Sequence, residues 1–452
     1  MKVVHLRAEP VCFRAILSCE IDKAVNAHFE ARVSGYVAES AEEIIKLLEK
    51  AEGFVLYGEE NGEEASIFRG IICKAKIKTE GDQRILTIVA KSRTYSLDQK
   101  RNTCSFQNPD DTYCDIVKQI IGKTKDTSVI FFAGMEKANE FILQYQETDW
   151  EFLKRLAARL GTVLVADCTN DRICFYFGLP RKKEVEDGPS ENAELSVSYI
   201  CSDPERNKVE YQLVSRAVWK LCSPMSIRGR RVFVYSIHGR LVGGEMVWQY
   251  RLRPSADFEC AAPYNQEIIG ASISGYVLEA KETLVKLELA CESGGRENNG
   301  IWFPYATVYA SPDGGGWYFM PERNSMVRLC FPDEKERNAY AASCVFLEDQ
   351  PGRQNKPEIK FIRTMEGKEL RFTPESIVIT NNKGMEICLD DGNGIRIKST
   401  GNIELQSRDG MALSSGERLK VDSKGGILLK QDENSVIVKE GVRIDGLRVQ
   451  FR

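Results

Sequence analysis

Residues 387–429 read ICLDDGNGIRIKSTGNIELQSRDGMALSSGERLKVDSKGGILL, and the rest of the chain is interpreted around them. Ile387, Ile395, Ile403, Met411, Leu419 and Ile427 recur at intervals of eight. Each is followed two positions later by an aliphatic partner: Leu389, Ile397, Leu405, Leu413, Val421 and Leu429. Apolar residues at i and i+2 lie on one face of a strand. The steps between pairs are polar or carry Gly384, Gly392, Gly401, Gly416 and Gly425, which suit bends. The pattern predicts an array of short strands, each with one buried face.

A straight octad reaches about 20–25 Å at roughly 3.3 Å per residue, too little to wrap around its own apolar pair. Two closures meet the need. Three successive octads of one chain can coil into a rung, or three chains can each supply one side. The three-chain prism is the favoured reading, with the twelve residues above as the predicted trimer core. Each rung then buries about six aliphatic side chains, at about 1.5–3 kcal/mol apiece as an upper bound. In a monomer the same strands expose apolar faces and edges.

The 452 residues leave room for about three to five domains. A charged fraction of 28% beside 42% hydrophobic residues is that of ordinary globular protein. A net charge of −4 gives no general attraction to nucleic acid or anionic membrane, so nucleic acid is not an expected partner. The basic run Arg228 to Arg231 reads as a solvated turn. The 14 cysteines contain no C-x-x-C, and His5, His28 and His238 stand far apart. The expectation is therefore reduced, mostly buried thiols, with no metal and no cofactor. The N-terminus MKVVHLRAEP lacks an apolar signal core and no stretch is long enough to span a membrane, which predicts synthesis and folding in the cytoplasm.

From the N-terminus, residues 1–107 read as a small antiparallel β-barrel around one short helix. Ser40 and Glu43 have capping-box spacing, Ile44, Ile45, Leu47 and Leu48 form the apolar face, and Gly53 ends it. Strand-like runs follow at 54–57, 66–78 and 84–90, and the acidic run 59–64 reads as facing water. Residues 108–165 change to a helical period. Asp110 or Asp111 is the expected cap of one helix, with Gly122 at its end. Thr148 and Glu151 box the next, whose stripe is Phe152, Leu153, Leu156 and Leu160 and whose stop is Gly161. Residues 166–262 read as a second barrel of similar size, with strands at 173–177, 195–199, 209–214, 232–235 and 246–252 after a polar loop at 180–193; the short run 162–165 leads into it. Residues 263–348 carry runs at 268–280, 283–290, 302–308, 317–320 and 326–331, the number of strands in a five-stranded Greek-key barrel. A polar linker, 349–365, leads to the octad needle at 366–452.

Gln144-Tyr145 through Gly161 resembles the Q-Y-x-E-[ST]-D-x-x-F-x-x-R-L-x-x-x-x-G signature of VgrG-type spike proteins of contractile injection systems and of contractile phage-tail hubs, the phage late control gene D family. Gln144, Tyr145, Glu147, Thr148, Asp149, Phe152, Arg155, Leu156 and Gly161 occupy its positions. Ser96 to Asp98 and Ser105 to Gln107 are similar to the run before that segment. Gly316 to Phe331 resembles the end of the family's OB-fold barrel, with Arg323-Asn324-Ser325 where the family carries a Gly-Asp turn. The resemblance implies a mainly β chain: two hub barrels with a helical insert, an OB-fold neck and a C-terminal trimeric triple-stranded β-helix. It implies a homotrimeric spike and baseplate hub that joins a six-fold tube to a three-fold needle and pierces an envelope when the sheath contracts. Its partners would be inner-tube and baseplate proteins and a PAAR-like tip protein or non-covalent effector.

No enzyme is expected. Residues 349–360 are too few to hold a lysozyme domain, and no G-x-S-x-G, H-E-x-x-H or P-loop occurs. The glycines of Ser311 to Gly316 precede a strand, so that stretch reads as a loop, not a phosphate cradle. The chain stops at Arg452 soon after the octads, which gives the expectation that no effector is fused. The alternative is a trimeric tail-fibre-like adhesin that binds a surface glycan. It calls for exposed aromatic platforms near a distal end, where 366–452 hold only Phe372 and Phe451 as aromatics.

Overall fold

The computed structural model describes residues 3–60, 63–180, 194–203, 206–258, 260–291, 300–344, 356–446 and 448. They form two compact units, Met1–Phe346 and Leu347–Arg452. The chain is mainly β, and among the described residues no helix is long and apolar enough to cross a membrane. Residues 181–193 of the predicted loop at 180–193 and 349–355 of the predicted linker lie outside the described residues, and Lys360–Arg363, expected within that linker, is a strand.

Eleven strands of the first unit share one sheet, in the order Glu194–Asp203, Arg206–Ser215, Glu245–Arg253, Val3–Glu9, Phe54–Glu60, Glu63–Glu80, Gln83–Lys91, Glu30–Val37, Ala15–Ala24, Arg230–Val242 and Pro224–Ile227. Arg230–Val242 also pairs with Glu245–Arg253, so the ladder closes on itself. Strands from both stretches expected as hub barrels, 1–107 and 166–262, take part in this sheet. Glu20 to Ala24 pair with Ser236 to Arg240, and Val4 pairs with Glu245, so strands from both stretches belong to one hydrogen-bonded network. Alternation within each strand fixes its buried face, but it carries no information about a partner more than two hundred residues away.

One cross-strand pair in this sheet is set by a glycine. Gly239 stands opposite Trp248, and a Cβ there would lie 2.4 Å from the indole Cζ3, so only glycine lets the buried ring cross the strand at that point. Gly239→Ala is expected to destabilise the first unit by about 1–3 kcal/mol through this overlap, read as a lower midpoint in urea unfolding.

The helices follow their caps. Ala41–Lys50 starts at Ser40 with a complete capping box and ends at Ala51, two residues before the expected Gly53; Ile44 is buried, whereas Ile45, expected on the apolar face, is exposed. Tyr113–Ile121 is capped by Thr112, not by Asp110 or Asp111, because the Thr112 hydroxyl accepts from Asp115 N and the Asp115 carboxylate accepts from Thr112 N. Asp110 pairs with Lys137 instead, and Asp111 accepts from Asn108 and Gln119. Asp149–Arg159 begins at the predicted Thr148–Glu151 box, and Gly161 takes φ +62° just beyond its end. These last two helices accompany a three-stranded sheet, Leu164–Ala166, Ile173–Phe177 and Thr127–Phe131, so the insert is α/β and runs past residue 165. In the acidic run, Glu64 is not simply solvated but holds Arg7 through two hydrogen bonds of 2.7 and 2.9 Å.

A second sheet of the first unit has the order Trp302–Pro304, Leu284–Leu289, Ser272–Lys281, Met326–Cys330 and Tyr340–Cys344, and a parallel bridge from Tyr305 to Ala341 links its outer strands. The expected strand at 317–320 is absent. Trp317 instead returns its N–H to Tyr309 O in an exposed hairpin, and Tyr340–Cys344 supplies the fifth strand. At the departure from the family's Gly-Asp turn, Asn324 adopts φ +66°, a conformation asparagine tolerates better than most side chains. Of the described cysteines, Cys19, Cys114, Cys168, Cys174, Cys222 and Cys388 are buried, so the expectation of mostly buried thiols holds for fewer than half of them.

The second unit is an antiparallel meander of Lys360–Arg363, Glu369–Phe372, Ser376–Thr380, Glu386–Asp390 and Gly394–Lys398, followed by a three-stranded meander of Ile427–Gln431, Asn434–Lys439 and Gly441–Asp445. Residues 399–426 hold no strand, so three of the six octads depart from the expected array. An extended octad counts as a strand only when a neighbour completes its ladder.

Candidate functional site

The predicted signature residues converge on a junction between the helical insert and the five-stranded sheet. Phe106 and Gln107 precede the insert and are buried; Phe106 stacks on Phe152 at 5.6 Å and Gln107 Nε2 donates to Leu287 O at 3.1 Å. The strand Ile142–Thr148 then leads straight into its helix. Gln144 is fully buried, donating from Nε2 to Glu147 O at 3.2 Å and to Asp149 Oδ1 at 2.9 Å. Asp149 also accepts from Asn102 Nδ2, and Tyr145 O accepts from Asn265 Nδ2 at 2.8 Å. Thr148 Oγ1 caps the helix and donates to Asp98. Phe141 and Leu143 enter the core of the five-stranded sheet, where Phe141 meets Phe303 edge-on at 5.1 Å. Leu156 faces the other way, into the core of the large sheet.

Arg155 is the centre of this junction. Its side chain is 3% exposed; Nε and Nη2 donate to the two Glu147 oxygens at 2.9 and 2.7 Å, Nη1 to Glu336 Oε1 at 2.8 Å and Nη2 to Leu143 O at 2.6 Å. One helical turn later, Arg159 binds the other Glu336 oxygen, Glu140 at 3.0 Å and Pro263 O at 3.0 Å. Burial alone would lower the Arg155 pKa; the Glu147 and Glu336 carboxylates reverse this and raise it above the usual guanidinium value. Both carboxylates are committed to arginines, so the arrangement fixes one sheet against the other and presents no free group for proton transfer.

A second polar cluster borders it. His28 contacts Thr94 Oγ1 at 2.9 Å and Asp98 Oδ2 at 3.3 Å, with its ring centroid 4.6 Å from that of Trp150. Burial lowers the His28 pKa, with Asp98 opposing, while the His28 contact holds Asp98 below the usual carboxylate range. A histidine depressed on folding binds fewer protons than in the unfolded chain. Its stabilising contribution is thus present above the ordinary imidazole pKa of about 6.5 and is lost as pH falls through the lower folded value. The Asp98 contribution disappears at still lower pH. His28→Gln is expected to flatten the fall in Tm between pH 7.5 and 5, measured by thermal unfolding across that range.

The octad residues lie in the second unit. Ile387, Leu389, Ile395 and Ile397 share one sheet face with Ile377 and Ile379, because Ile377, Leu389 and Ile395 stand in one cross-strand row and Ile379, Ile387 and Ile397 in the next. That face is open, with Ile395 74% exposed. Ile427 and Leu429 share a face with Val436, Val438, Val442 and Ile444. Ile403, Leu405, Met411, Leu413, Leu419 and Val421 are exposed outside any strand. Sequence reasoning missed Glu336, Arg159 and Asn265. Glu336 stands in the polar run DEKERN, where nothing distinguishes a buried ion-pair partner from a solvated carboxylate, and only the unexplained signature arginine hints that a partner exists.

The described residues form a mainly β chain in which the helical insert and the five-stranded sheet meet at this junction. Residues 24–172 match the family described as Phage tail baseplate hub (GPD). The fold is shared with the E. coli c3393 protein, a type VI secretion component with structural similarity to the T4 bacteriophage tail proteins gp27 and gp5; the two are 13% identical with a TM-score of 0.54 over 76% of this chain and 100% of that one. A chain of the Francisella PdpA–VgrG complex, 10% identical, matches with a TM-score of 0.57 over 88% of each chain. No curated protein matches the sequence. The resemblance to VgrG-type spikes and phage hubs is thus supported by a family match over the signature region and by a shared fold.

Proposed function

We propose that the chain is the central spike and baseplate hub of a contractile injection machine, acting as a homotrimer that joins a six-fold tube to a three-fold needle and pierces an envelope on sheath contraction. The observation that carries this reading is the open apolar face of the octad meander, whose rows repeat at one-octad spacing. Three copies would cover these faces around a common axis and pair the remaining octads as strands, giving the triple-stranded β-helix. The 3-2-1-4-5 connectivity of the five-stranded sheet, closed by the Tyr305–Ala341 bridge, supports an OB-type barrel as the neck. The buried Arg155 junction supports a mechanical role, since it stiffens the link between hub and neck. Inner-tube and baseplate proteins, with a PAAR-like tip or a non-covalent effector, are the partners this role requires. Assembly would take place in the cytoplasm, before delivery across or into the target envelope. Light scattering on the purified full chain tests the proposal: a three-chain mass supports it, and a monomer would remove its physical basis.

A second reading, the glycan-binding adhesin, is favoured by one feature. The hairpin of the first unit exposes Val308, Tyr309, Trp317, Tyr318 and Phe319 within twelve residues. Binding of the full chain to immobilised surface glycans, lost in Trp317→Ala, would favour it.

A further inference from the structure

A cavity of about 450 Å³ opens where the α/β insert meets the large sheet. Phe29, Ile67, Phe132, Val165, Leu221 and Ile237 give it an apolar body, and the volume is within the range of small-molecule sites. Nothing in the hub role uses it. Its polar groups are few and mostly of one sign. Lys23 reaches Ile67 O at 3.3 Å, and Lys220, exposed at the rim, has no ion pair among the described residues. The one lining carboxylate, Asp167, is turned back on its own loop, accepting from Thr169 N at 2.7 Å. Trp248, held across Gly239, also lines the cavity, and its buried Nε1 has no hydrogen-bond partner among the described residues. The site therefore combines an apolar interior with two ammonium groups.

We infer that this cavity binds an amphipathic anion, a medium-chain acyl carboxylate, with its tail against Phe132, Val165 and Ile237 and its carboxylate between Lys23 and Lys220. Charge complementarity selects the head group, because a neutral alcohol of the same length gives neither ammonium group a counter-charge. The assignment is independent of oligomeric state, so it can fail without affecting the spike reading.

The test is calorimetric titration of the full chain with dodecanoate, below its micelle concentration, and in parallel with dodecanol. The expected result is saturable binding of one dodecanoate per chain, weaker by about five- to tenfold in Lys220→Gln and lost in Val218→Trp. Val218 is exposed at the rim, so the larger side chain blocks entry without burdening the core. Circular dichroism checks that both variants keep the fold, and Lys220→Gln removes only an exposed charge. Absence of saturable binding overturns the inference. So does binding unchanged in both variants, which would place dodecanoate elsewhere, for instance on the open octad face. Equal affinity for dodecanol overturns the assignment of the head group.

Discussion

Arg155→Ala is expected to destabilise the first unit by roughly 3–5 kcal/mol, the usual result of removing one partner from a buried ion pair. The guanidinium makes four hydrogen bonds, to Glu147, Glu336 and Leu143 O, and its side chain is almost wholly inaccessible. Its loss leaves Glu147 without its cation and Glu336 with Arg159 alone. Arg155→Lys should fall in the same direction by a smaller amount, because an ammonium keeps the charge but cannot span both oxygens of Glu147 and reach Glu336 at once. Hydrogen exchange on the full chain localises the effect. Amides of the Ile142–Thr148 strand and around Glu336 should exchange faster, while those of the octad meander stay unchanged. Wild-type exchange at the junction in the alanine variant would mean that apolar packing by Phe141, Leu143 and Phe303 suffices to hold the two sheets together.

The same junction shows what sequence reading can reach. The Ser40 and Thr148 boxes were legible because both partners lie within four residues and the geometry is local. Thr112 with Asp115 has the same spacing, but its acidic neighbours Asp110 and Asp111 are equally good caps by residue type, and an aspartate at the far end of the box does the work more often done by Glu or Gln. Arg155 was legible as a signature position, but its reason was not. Glu336 lies 181 residues away, and burial, not residue type, makes it a partner. The pairing of strands from the two ends of the first unit in one ladder was hidden for the same reason. Glu20 to Ala24 alternate like any half-buried strand, and nothing in them selects Ser236 to Arg240 as a neighbour. Exposed aromatics misled for the opposite reason: Trp317 to Met320 have strand composition but lie in a hairpin held by an isolated bridge, turn bonds and side-chain bonds such as Tyr318 OH to Glu282 O, with no ladder.

Replacing Ile395 and Ile397 together with aspartate is expected to convert the proposed trimer to monomers in light scattering at micromolar concentration. In one chain both side chains are exposed, so the substitutions remove little buried surface and the monomer should lose no more than about 0.5 kcal/mol, as at other surface sites. In a three-chain rung each aspartate appears three times around a common axis. Burying such charges without partners costs several kcal/mol apiece, more than the ~1.5–3 kcal/mol that each aliphatic side chain contributes. The imbalance falls entirely on association, which separates this result from a folding defect. Arg396 and Lys398 project from the opposite face, where Arg396 pairs with Glu386 at 2.7 Å, so Lys398→Ser should leave the assembly intact. An oligomer that survives Ile395→Asp/Ile397→Asp would mean that this face is not the interface. The octads would then have to meet their ladder requirement within one chain, and the case for a needle would rest on the hub fold alone.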